Sequence, residues 1–374
     1  LTLTIDENIQ KAAEKAIDEQ LLYLQTKGGR PNAKAAAAVV VNPQTGEVLA
    51  MVSRPSFNPN LFAGGISTKD WNLINNNPNH PLDNKAITGE YPPGSTFKVV
   101  TGVAALEENK VTPEEKILDT GKHWIIPKVN AEGEALGWIN FQEALSKSDN
   151  VYFYEMGNRL GIDLIEKYAR MFGLGAKTGI NLPYESEGLV ANRKYKEEVF
   201  EDDWYLSETF DAAIGQGFNL VTPLQIAMLY SEIANGGIRY RPYLVSKITA
   251  PDGTVIKQFQ SEKLGQLTIS QKTMDLIRIS LRDVAREGGT AGQIFKDFPV
   301  PIAGKTGTAE NPHGSDHGWF VAYGPFDNPQ YVVAVIVDQG GFGSMSAVPI
   351  GKKILEAAFH IDNNPKENPV VIGQ

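Results

Sequence analysis

The stretch AAAAVVVN, residues 35–42, is separated from EVLAMVS, residues 47–53, by the four residues PQTG. Two short apolar runs on either side of a connection that contains Pro and Gly are typical of a β-hairpin. Strands joined by a hairpin run antiparallel. The sequence therefore predicts an antiparallel sheet in which these two strands are neighbours.

Strand-like segments return near the end of the chain, where apolar residues again form short runs. The three candidates are VPIAGKTGTAE at 300–310, GWFVAYGPF at 318–326 and YVVAVIVDQ at 331–339. Helices are predicted over 6–26, with Asp6 as a candidate N-cap, and over about 346–360. We expect these two helices to flank a single antiparallel sheet.

The middle of the chain, from about 55 to 299, is predicted to be largely helical. Helices are expected at 95–108, 141–160, 163–172, 222–235 and 270–286, with a small hairpin over 241–260 that turns at PDG. The fold class is therefore α/β in the α+β sense, with a sheet subdomain from about 1–54 and 300–360 and a helical-rich insertion at 55–299. Residues 361–374 are rich in Asn and Pro, and we expect them to form a mobile tail.

The composition excludes several classes of function. A formal net charge of −9 and the lack of a clustered basic segment oppose nucleic acid as the main partner. The chain has no cysteine, so disulfides, thiolate nucleophiles and cysteine-based zinc sites are excluded together. It has no run of about 18 apolar residues and no signal segment, and it starts at LTLTID without an initiator Met. We expect a fragment, so the lack of a membrane anchor says nothing about the native protein.

YPPGSTFKVV, residues 91–100, contains the first candidate pair, Ser95 and Lys98. Pro and Gly cannot extend a helix backwards and Ser is a favoured N-cap, so Ser95 can simply start a helix. Lys98 does not fit that interpretation, because a capping box has Glu or Gln three residues after the cap. The same spacing places both side chains on one helix face, where a lysine of lowered pKa can deprotonate a serine nucleophile. Both interpretations stay open on this stretch alone.

SKSDNVYFYEMG, residues 146–157, contains the second candidate pair, Ser148 and Asn150. Ser-Asp-Asn is common at turns and helix starts, and taken alone it needs no further explanation. In a catalytic site, the hydroxyl of Ser148 could pass a proton to a leaving group. The amide of Asn150 could then hold an amide of the substrate.

GKTGT, residues 304–308, contains the third candidate, Lys305-Thr306-Gly307 followed by Thr308. A phosphate-binding loop would need Gly at position 299, which is Pro299, and this segment is predicted to be a strand. On an edge strand, a lysine, threonine hydroxyls and backbone N–H groups can bind an extended anionic peptide. We expect Gly307 to leave room for the close approach of such a substrate.

Neither a metal nor a cofactor is predicted. HGSDH, residues 313–317, is better explained as a polar loop before a strand than as a metal site, and no H-E-x-x-H pattern occurs. The chain also lacks a glycine-rich dinucleotide-binding fingerprint. The candidate chemistry is therefore that of side chains and backbone alone.

The three motifs, in this order, resemble the signature of the penicillin-recognising serine enzymes. Four other stretches resemble class B penicillin-binding proteins: LTLTIDENIQKAAEKAI, NPQTGEVLAMVSRPSFNPNLF, AIGQGFNLVTPLQIAMLYSEIANGG and HGWFVAYGP. AITGEYPPGSTFK, residues 86–98, is similar to the elongation-type members, the penicillin-binding protein 2 group. The resemblance covers about residues 1–360 and implies a penicillin-binding-protein/serine β-lactamase-like fold.

The resemblance also implies an activity, that of a peptidoglycan D,D-transpeptidase that cross-links stem peptides. Ser95 would attack the carbonyl between the two terminal D-alanines and form an acyl-enzyme, which an amine from a neighbouring stem would take over. Lys98 would accept the serine proton, and Ser148 would pass it to the departing D-alanine. Asn150 would bind the amide on the acyl side. β-Lactams would mimic the substrate and stall the enzyme as an acyl-enzyme.

The third motif has its own implied roles. Lys305 would supply a positive field and help to keep Lys98 neutral, while Thr306 and Thr308 would bind the terminal carboxylate. The backbone N–H groups of Ser95 and Thr308 would form the oxyanion hole. Class B members typically carry a membrane anchor and a pedestal domain and act with a polymerising glycosyltransferase. We therefore expect a catalytic domain on the extracytoplasmic side of a bacterial cell membrane.

Three alternatives stay open. A class A β-lactamase would carry E-x-x-L-N after the second motif, and a class D enzyme would share STFK but carry S-x-V and Y-G-N. The chain has STFK at 95–98, ends its second motif in Asn150 and lacks the other strings. A D,D-carboxypeptidase would use water in place of the amine. A non-catalytic β-lactam sensor would keep the fold and the motifs without turning over peptide.

Overall fold

The computed structural model describes residues 1–131 and 133–361. Its α-helices are α1 Glu7–Thr26, α2 Thr68–Asn75, α3 Lys85–Thr88, α4 Lys98–Glu107, α5 Phe141–Lys147, α6 Asn150–Leu160, α7 Ile162–Met171, α8 Arg193–Phe200, α9 Leu206–Ala213, α10 Pro223–Ala234, α11 Gln271–Val284, α12 Gly292–Phe295 and α13 Gly343–Ala358. Its strands are β1 Thr2–Leu3, β2 Ala36–Val41, β3 Val48–Arg54, β4 Ile117–Asp119, β5 Gly137–Ile139, β6 Ile238–Tyr240, β7 Val245–Thr249, β8 Val255–Gln258, β9 Lys263–Gln266, β10 Ala303–Ala309, β11 His317–Gly324 and β12 Tyr331–Val337. Short 3-10 turns lie at Pro59–Phe62 and Gly94–Phe97.

The central sheet has five antiparallel strands in the order β10-β11-β12-β2-β3. The hairpin predicted from residues 35–53 is confirmed, with Ala38 opposite Val52. The three C-terminal strands are confirmed as well, and β12 joins them to the hairpin by pairing with β2. β10, which carries the third motif, lies at the edge of the sheet, so one side of its backbone is not paired with a neighbouring strand.

Both faces of the sheet are covered, which explains why β2 is apolar and buried at every position. Ala38 and Val40 point into a core formed with α1 and α13, whereas Val39 and Val41 point into the opposite core. That second core contains α4, α10 and α11 and continues through the mainly helical part of the chain. The predicted arrangement of a sheet flanked by the N- and C-terminal helices is thereby confirmed.

Helix starts show where local sequence signals hold and where they do not. Asp6 caps α1, its carboxylate accepting the N–H groups of Asn8 and Ile9, as predicted. The predicted helix 95–108 is instead a 3-10 turn followed by α4, and no side chain caps either element. The interpretation of Ser95 as an N-cap is therefore wrong, because Ser95 lies inside the 3-10 turn.

The predicted helix 141–160 is interrupted at Ser148, whose left-handed backbone (φ 63°) ends α5. Asp149 then caps α6 by accepting the N–H of Tyr152. The small hairpin predicted at 241–260 is confirmed, with Lys247 of β7 opposite Gln258 of β8. Residues 362–374, which include nearly all of the predicted tail, lie outside the described residues. Among those described, no helix is both long and apolar enough to cross a membrane.

Candidate active site

Ser95 is held where the edge strand β10 passes the 3-10 turn at the start of α4. Gly94 donates its N–H to the carbonyl of Gly215 at 2.9 Å, and its backbone has φ +52°. A Cβ on Gly94 would lie 2.6 Å from the carbonyl oxygen of Thr308. Only glycine permits this approach, and the approach brings Ser95 beside the third motif.

Lys98 is fully buried one turn further along. Its Nζ donates to the carbonyl of Ser148 at 2.7 Å and to Oδ1 of Asn150 at 2.6 Å, and it lies 3.3 Å from the Ser148 Oγ. Burial lowers the pKa of Lys98 from 10.5 to about 7, while the nearby charge of Asp149 opposes that change. At neutral pH, the lysine is therefore available both as an amine and as an ammonium.

Lys305 reaches the same hydroxyl from the sheet side. Its Nζ donates to the Ser148 Oγ at 2.7 Å and to the carbonyl of Thr306 at 3.1 Å. Burial lowers the pKa of Lys305 well below its ordinary value, and the charge of Lys98 acts in the same direction. The Ser148 hydroxyl thus lies between two buried amines, one from each neighbouring motif.

Ser95 is not in hydrogen-bond contact with its predicted base. In the part of the chain that the structure describes, the Ser95 Oγ forms no hydrogen bond, and the Lys98 Nζ is directed towards Ser148 and Asn150. Ser95, Ser148, Asn150 and Thr308 nevertheless line one cleft of about 460 Å³. The motifs meet in space, and the Ser95 hydroxyl remains open to a ligand in that cleft.

The edge strand presents its backbone to the cleft at Thr308. The Thr308 carbonyl is directed away from β11, towards Gly94 and the Nε2 of Gln216 at 3.4 Å. Because the N–H and carbonyl of one strand residue point to the same side, the Thr308 N–H also faces the Ser95 turn. The N–H of Ser95 lies in the first turn of its 3-10 helix and is not used by the turn's own i→i+3 bonds.

The two threonine hydroxyls of the third motif are already anchored within the protein. The Thr306 Oγ1 lies 2.7 Å from the Oγ1 of Thr290, and the Thr308 Oγ1 accepts the N–H of Gly343 at 3.3 Å. Each hydroxyl keeps capacity for a further hydrogen bond. Their orientations are therefore fixed before any ligand arrives.

The reason predicted for Gly307 needs correction. A Cβ at this position would lie 2.9 Å from the Cβ of Trp319, 3.1 Å from the Cγ2 of Thr96 and 3.2 Å from the carbonyl oxygen of Pro93. The space beside Gly307 is thus filled by the serine turn and by β11, and not left open for a substrate. Glycine here allows β10 to pack closely against the turn that carries Ser95.

Three residues of the site were not found from the sequence. Asp149 carries a buried carboxylate whose pKa burial raises to about 6, and Thr290 orients Thr306. Asn130 lies in the loop before β5 and accepts the N–H groups of Asn150 and Val151. Asn130 and Thr290 act through contacts between distant segments, so no local pattern marks them, whereas Asp149 lies within the second motif as the N-cap of α6 and acts on the distant Lys98. Within residues 1–131 and 133–361, no cluster of His, Asp and Glu is arranged to hold a metal ion.

Comparison with known proteins identifies one family. Residues 36–356 match the family described as penicillin binding protein transpeptidase domain. The chain is 35% identical over 362 residues to peptidoglycan D,D-transpeptidase MrdA of Escherichia coli strain K12. The aligned region covers 90% of this chain and 56% of that protein. The chain therefore spans about half the length of this curated relative.

Two solved structures are similar over nearly the whole chain. One, at 36% identity and a TM-score of 0.85, belongs to a peptidoglycan synthase complex that coordinates polymerization and crosslinking; 97% of this chain and 63% of that chain are covered. The other is penicillin-binding protein A from Mycobacterium tuberculosis as an imipenem acyl-enzyme, at 31% identity and a TM-score of 0.79, with coverages of 96% and 79%.

Proposed function

Because the chain belongs to the penicillin-binding protein transpeptidase domain family, and within it to the class B, penicillin-binding protein 2 type, we propose that it is a serine D,D-transpeptidase that cross-links peptidoglycan stem peptides. One observation carries the proposal. The Ser148 hydroxyl lies within hydrogen-bond distance of both Lys98 and Lys305, in the same cleft as Ser95. This arrangement supports a nucleophile, a base and a proton-transferring hydroxyl acting on one substrate.

In the first step, the Ser95 Oγ attacks the carbonyl carbon of the penultimate D-alanine. Its proton passes to the Nζ of Lys98, which a pKa of about 7 makes available in the neutral form. For this transfer the Nζ turns from Asn150 towards Ser95, three residues earlier in the chain. Catalytic hydrogen bonds commonly shorten only when the substrate is bound, so the open geometry is compatible with this role.

The proton then reaches the departing D-alanine through the Ser148 hydroxyl, as the carbon–nitrogen bond breaks. In the second step, the amine of a neighbouring stem attacks the acyl-enzyme and restores the Ser95 hydroxyl. The backbone N–H groups of Ser95 and Thr308 stabilise the oxyanion formed in both steps, each worth about 2.7–4 kcal/mol in comparable sites.

The edge strand β10 and Asn150 bind the substrate. The Thr306 and Thr308 hydroxyls, already oriented by Thr290 and by Gly343, donate to the terminal carboxylate. The negative charge of that carboxylate favours the ammonium form of Lys305, whose pKa burial otherwise lowers. The backbone at Gly307 lines the same cleft. The side-chain amide of Asn150 holds the amide on the acyl side. No metal or cofactor enters the proposed reaction.

The cleft lies where two parts of the chain meet. Ser95 and Ser148 belong to the helical-rich insertion at 55–299, whereas Lys305–Thr308 belongs to the sheet subdomain at about 1–54 and 300–360. We propose these parts as the two subdomains of a transpeptidase domain over residues 1–360. Relatives in a synthase complex support a glycosyltransferase partner. We place the domain on the extracytoplasmic side of a bacterial membrane, where stem peptides and β-lactams are met.

Labelling with a fluorescent penicillin tests the acyl-enzyme. Wild type is expected to label and Ser95→Ala is not, while Ser53→Ala, which lies on β3 outside the cleft, is expected to label like wild type. Label that persists in Ser95→Ala, or absence of label from all three, would refute the proposal.

Turnover then separates the alternatives. A donor peptide ending in D-Ala-D-Ala, given with an acceptor amine, should release D-alanine and yield the amide product. Release of D-alanine without amide product would indicate a carboxypeptidase, and labelling without turnover a sensor. Rapid loss of the penicillin label would indicate a β-lactamase.

A further inference from the structure

The first turn of α6, which presents Asn150 to the cleft, is held from outside its own segment. The Oδ1 of Asn130 accepts the N–H of Asn150 at 2.8 Å and the N–H of Val151 at 3.2 Å. These belong to the N–H groups that a helix cannot satisfy internally. Asp149, the local N-cap, accepts the N–H of Tyr152 but not that of Asn150, so the backbone of Asn150 depends on a residue twenty positions earlier.

Asp119 and the carbonyl of Glu134 determine which end of the Asn130 amide faces α6, because the Asn130 Nδ2 donates to that carbonyl at 2.8 Å as well. The Asp119 Oδ2 accepts the Asn130 Nδ2 at 2.8 Å and the N–H of Leu136 at 2.7 Å, and its Oδ1 accepts the N–H of Gly121 at 2.7 Å. A carboxylate can only accept hydrogen bonds, so the amide must turn its NH₂ to Asp119 and its oxygen to α6. Both side chains are buried, with 2% and 7% exposed.

We propose that Asp119 and Asn130, called the Asp119–Asn130 pair below, are positioning residues. They hold Asn150 where its side chain orients the Lys98 amine for acylation, and this inference rests on the proposed function. Asn150 joins the two systems. Its backbone N–H is bound by Asn130, while its Oδ1 accepts the Nζ of Lys98 at 2.6 Å. A displacement of the first turn of α6 therefore changes the direction of the Lys98 amine.

The pair also connects α6 to the wall of the cleft. Val129, Asn130 and Leu136 all line the cleft, and the Val129 carbonyl lies 3.4 Å from the Nδ2 of Asn150. The loop that contains Val129 and Asn130 would therefore contact the acyl donor, and the same loop holds Asn150, whose side-chain amide is proposed to bind that donor. Through this connection, the Asp119–Asn130 pair fixes the distance between the wall and Asn150.

A matched pair of variants tests the positioning role. Asn192 is an equally buried helix N-cap, with 8% exposed; it accepts the N–H of Tyr195 and lies outside the cleft. Asn130→Ala and Asn192→Ala should lower the melting temperature comparably. Only Asn130→Ala should slow acylation at saturating fluorescent penicillin, by about tenfold to a hundredfold, since a displacement near 1 Å can cost that much. It should also move the pH midpoint of acylation, because the acceptor for Lys98 is displaced.

An exchange of charge supplies a second test, independent of how well Asn130→Ala folds. Asn130→Asp places two carboxylates next to each other, with no donor for a hydrogen bond between the two side chains. In the double variant Asp119→Asn/Asn130→Asp, the asparagine at position 119 can donate to the aspartate at position 130. The double variant should acylate faster than Asn130→Asp, although it lacks the donor to the Glu134 carbonyl and loses one N–H group accepted by Asp119. Equal acylation rates in the two variants would overturn the role of Asp119.

The outcomes separate this inference from the function on which it rests. Wild-type labelling with unchanged Asn130→Ala acylation overturns the positioning role alone. Equal slowing in Asn130→Ala and Asn192→Ala does so too, because it would show general destabilisation. Absence of label from the wild type overturns the proposed function and this inference with it.

Discussion

The rate of acylation should rise about tenfold between pH 6 and pH 8, because Lys98 must be neutral to accept the serine proton. The pKa of Lys98 lies at about 7 owing to its burial, against an ordinary 10.5. The sign follows from the proposed role. A base is active in its deprotonated form, so activity increases as pH rises through its pKa.

The magnitude follows from the same pKa. With a midpoint of about 7, the neutral fraction of Lys98 is about one tenth at pH 6 and about nine tenths at pH 8. An unperturbed lysine would be neutral in fewer than about one molecule in a thousand at pH 7. The lowered pKa corresponds to a cost of about 5 kcal/mol for the ammonium form in the folded site, relative to an exposed lysine.

The variant Asp149→Asn tests the cause of that midpoint. The Asp149 charge favours protonated Lys98, so its removal should move the midpoint of acylation below that of the wild type. Asparagine is a good N-cap and can still accept the N–H of Tyr152, so α6 should persist. Because burial raises the pKa of Asp149 itself to about 6, the two profiles should differ most above pH 6.

Stopped-flow acylation at saturating penicillin, measured every half pH unit from 5.5 to 8.5, gives both midpoints. The penicillin must be stable over that range, and the melting temperature of each protein is recorded at every pH. A wild-type rate that is flat from pH 6 to 8 would refute Lys98 as the base. An Asp149→Asn midpoint above that of the wild type would refute the electrostatic reasoning.

Three further changes test separate contacts. Ser148→Ala removes the hydroxyl shared by the two amines and should slow acylation by about 10²–10⁴-fold, measured with the same penicillin. Gly307→Val drives a side chain against Thr96, and should both slow labelling and lower the free energy of unfolding in urea by about 1–3 kcal/mol. Tyr230→Phe removes a buried 3.0 Å hydrogen bond to the Thr96 carbonyl; urea unfolding should show a loss of about 1–3 kcal/mol, and an unchanged midpoint would contradict this.

Much of the fold could be predicted because its signals are local. The apolar runs around PQTG predict the hairpin, and the helical period from residue 6 predicts α1 together with its cap at Asp6. At Ser148 two local signals conflict: Ser-Asp-Asn favours a turn or helix start, but the apolar periodicity continues across it and predicts one helix over 141–160. The residue adopts a left-handed backbone that leaves its hydroxyl between Lys98 and Lys305, which come from distant segments.

The site was predicted only as far as its motifs reach. Ser95, Lys98, Ser148, Asn150 and Lys305–Thr308 could be named because they follow a recognised order along the chain. Asn130 could not, since its role depends on a helix twenty residues later and on a carboxylate eleven residues earlier. The role of Gly307 cannot be predicted for the same reason, because the turn that it packs against is remote in sequence.

The residues that fit their local surroundings least well are those of the proposed mechanism. Lys98 begins a helix whose dipole disfavours a cation, and Lys305 lies fully buried in a strand with apolar neighbours on the sheet. Both features cost stability, and selection for folding alone would favour an apolar side chain at either position. Burial lowers the pKa of both amines, however, the charge of Lys98 lowers that of Lys305 further, and the two amines share one hydroxyl. A lysine that is partly neutral at physiological pH requires this unfavourable placement, so the local misfit at Lys98 is a consequence of the chemistry proposed for it.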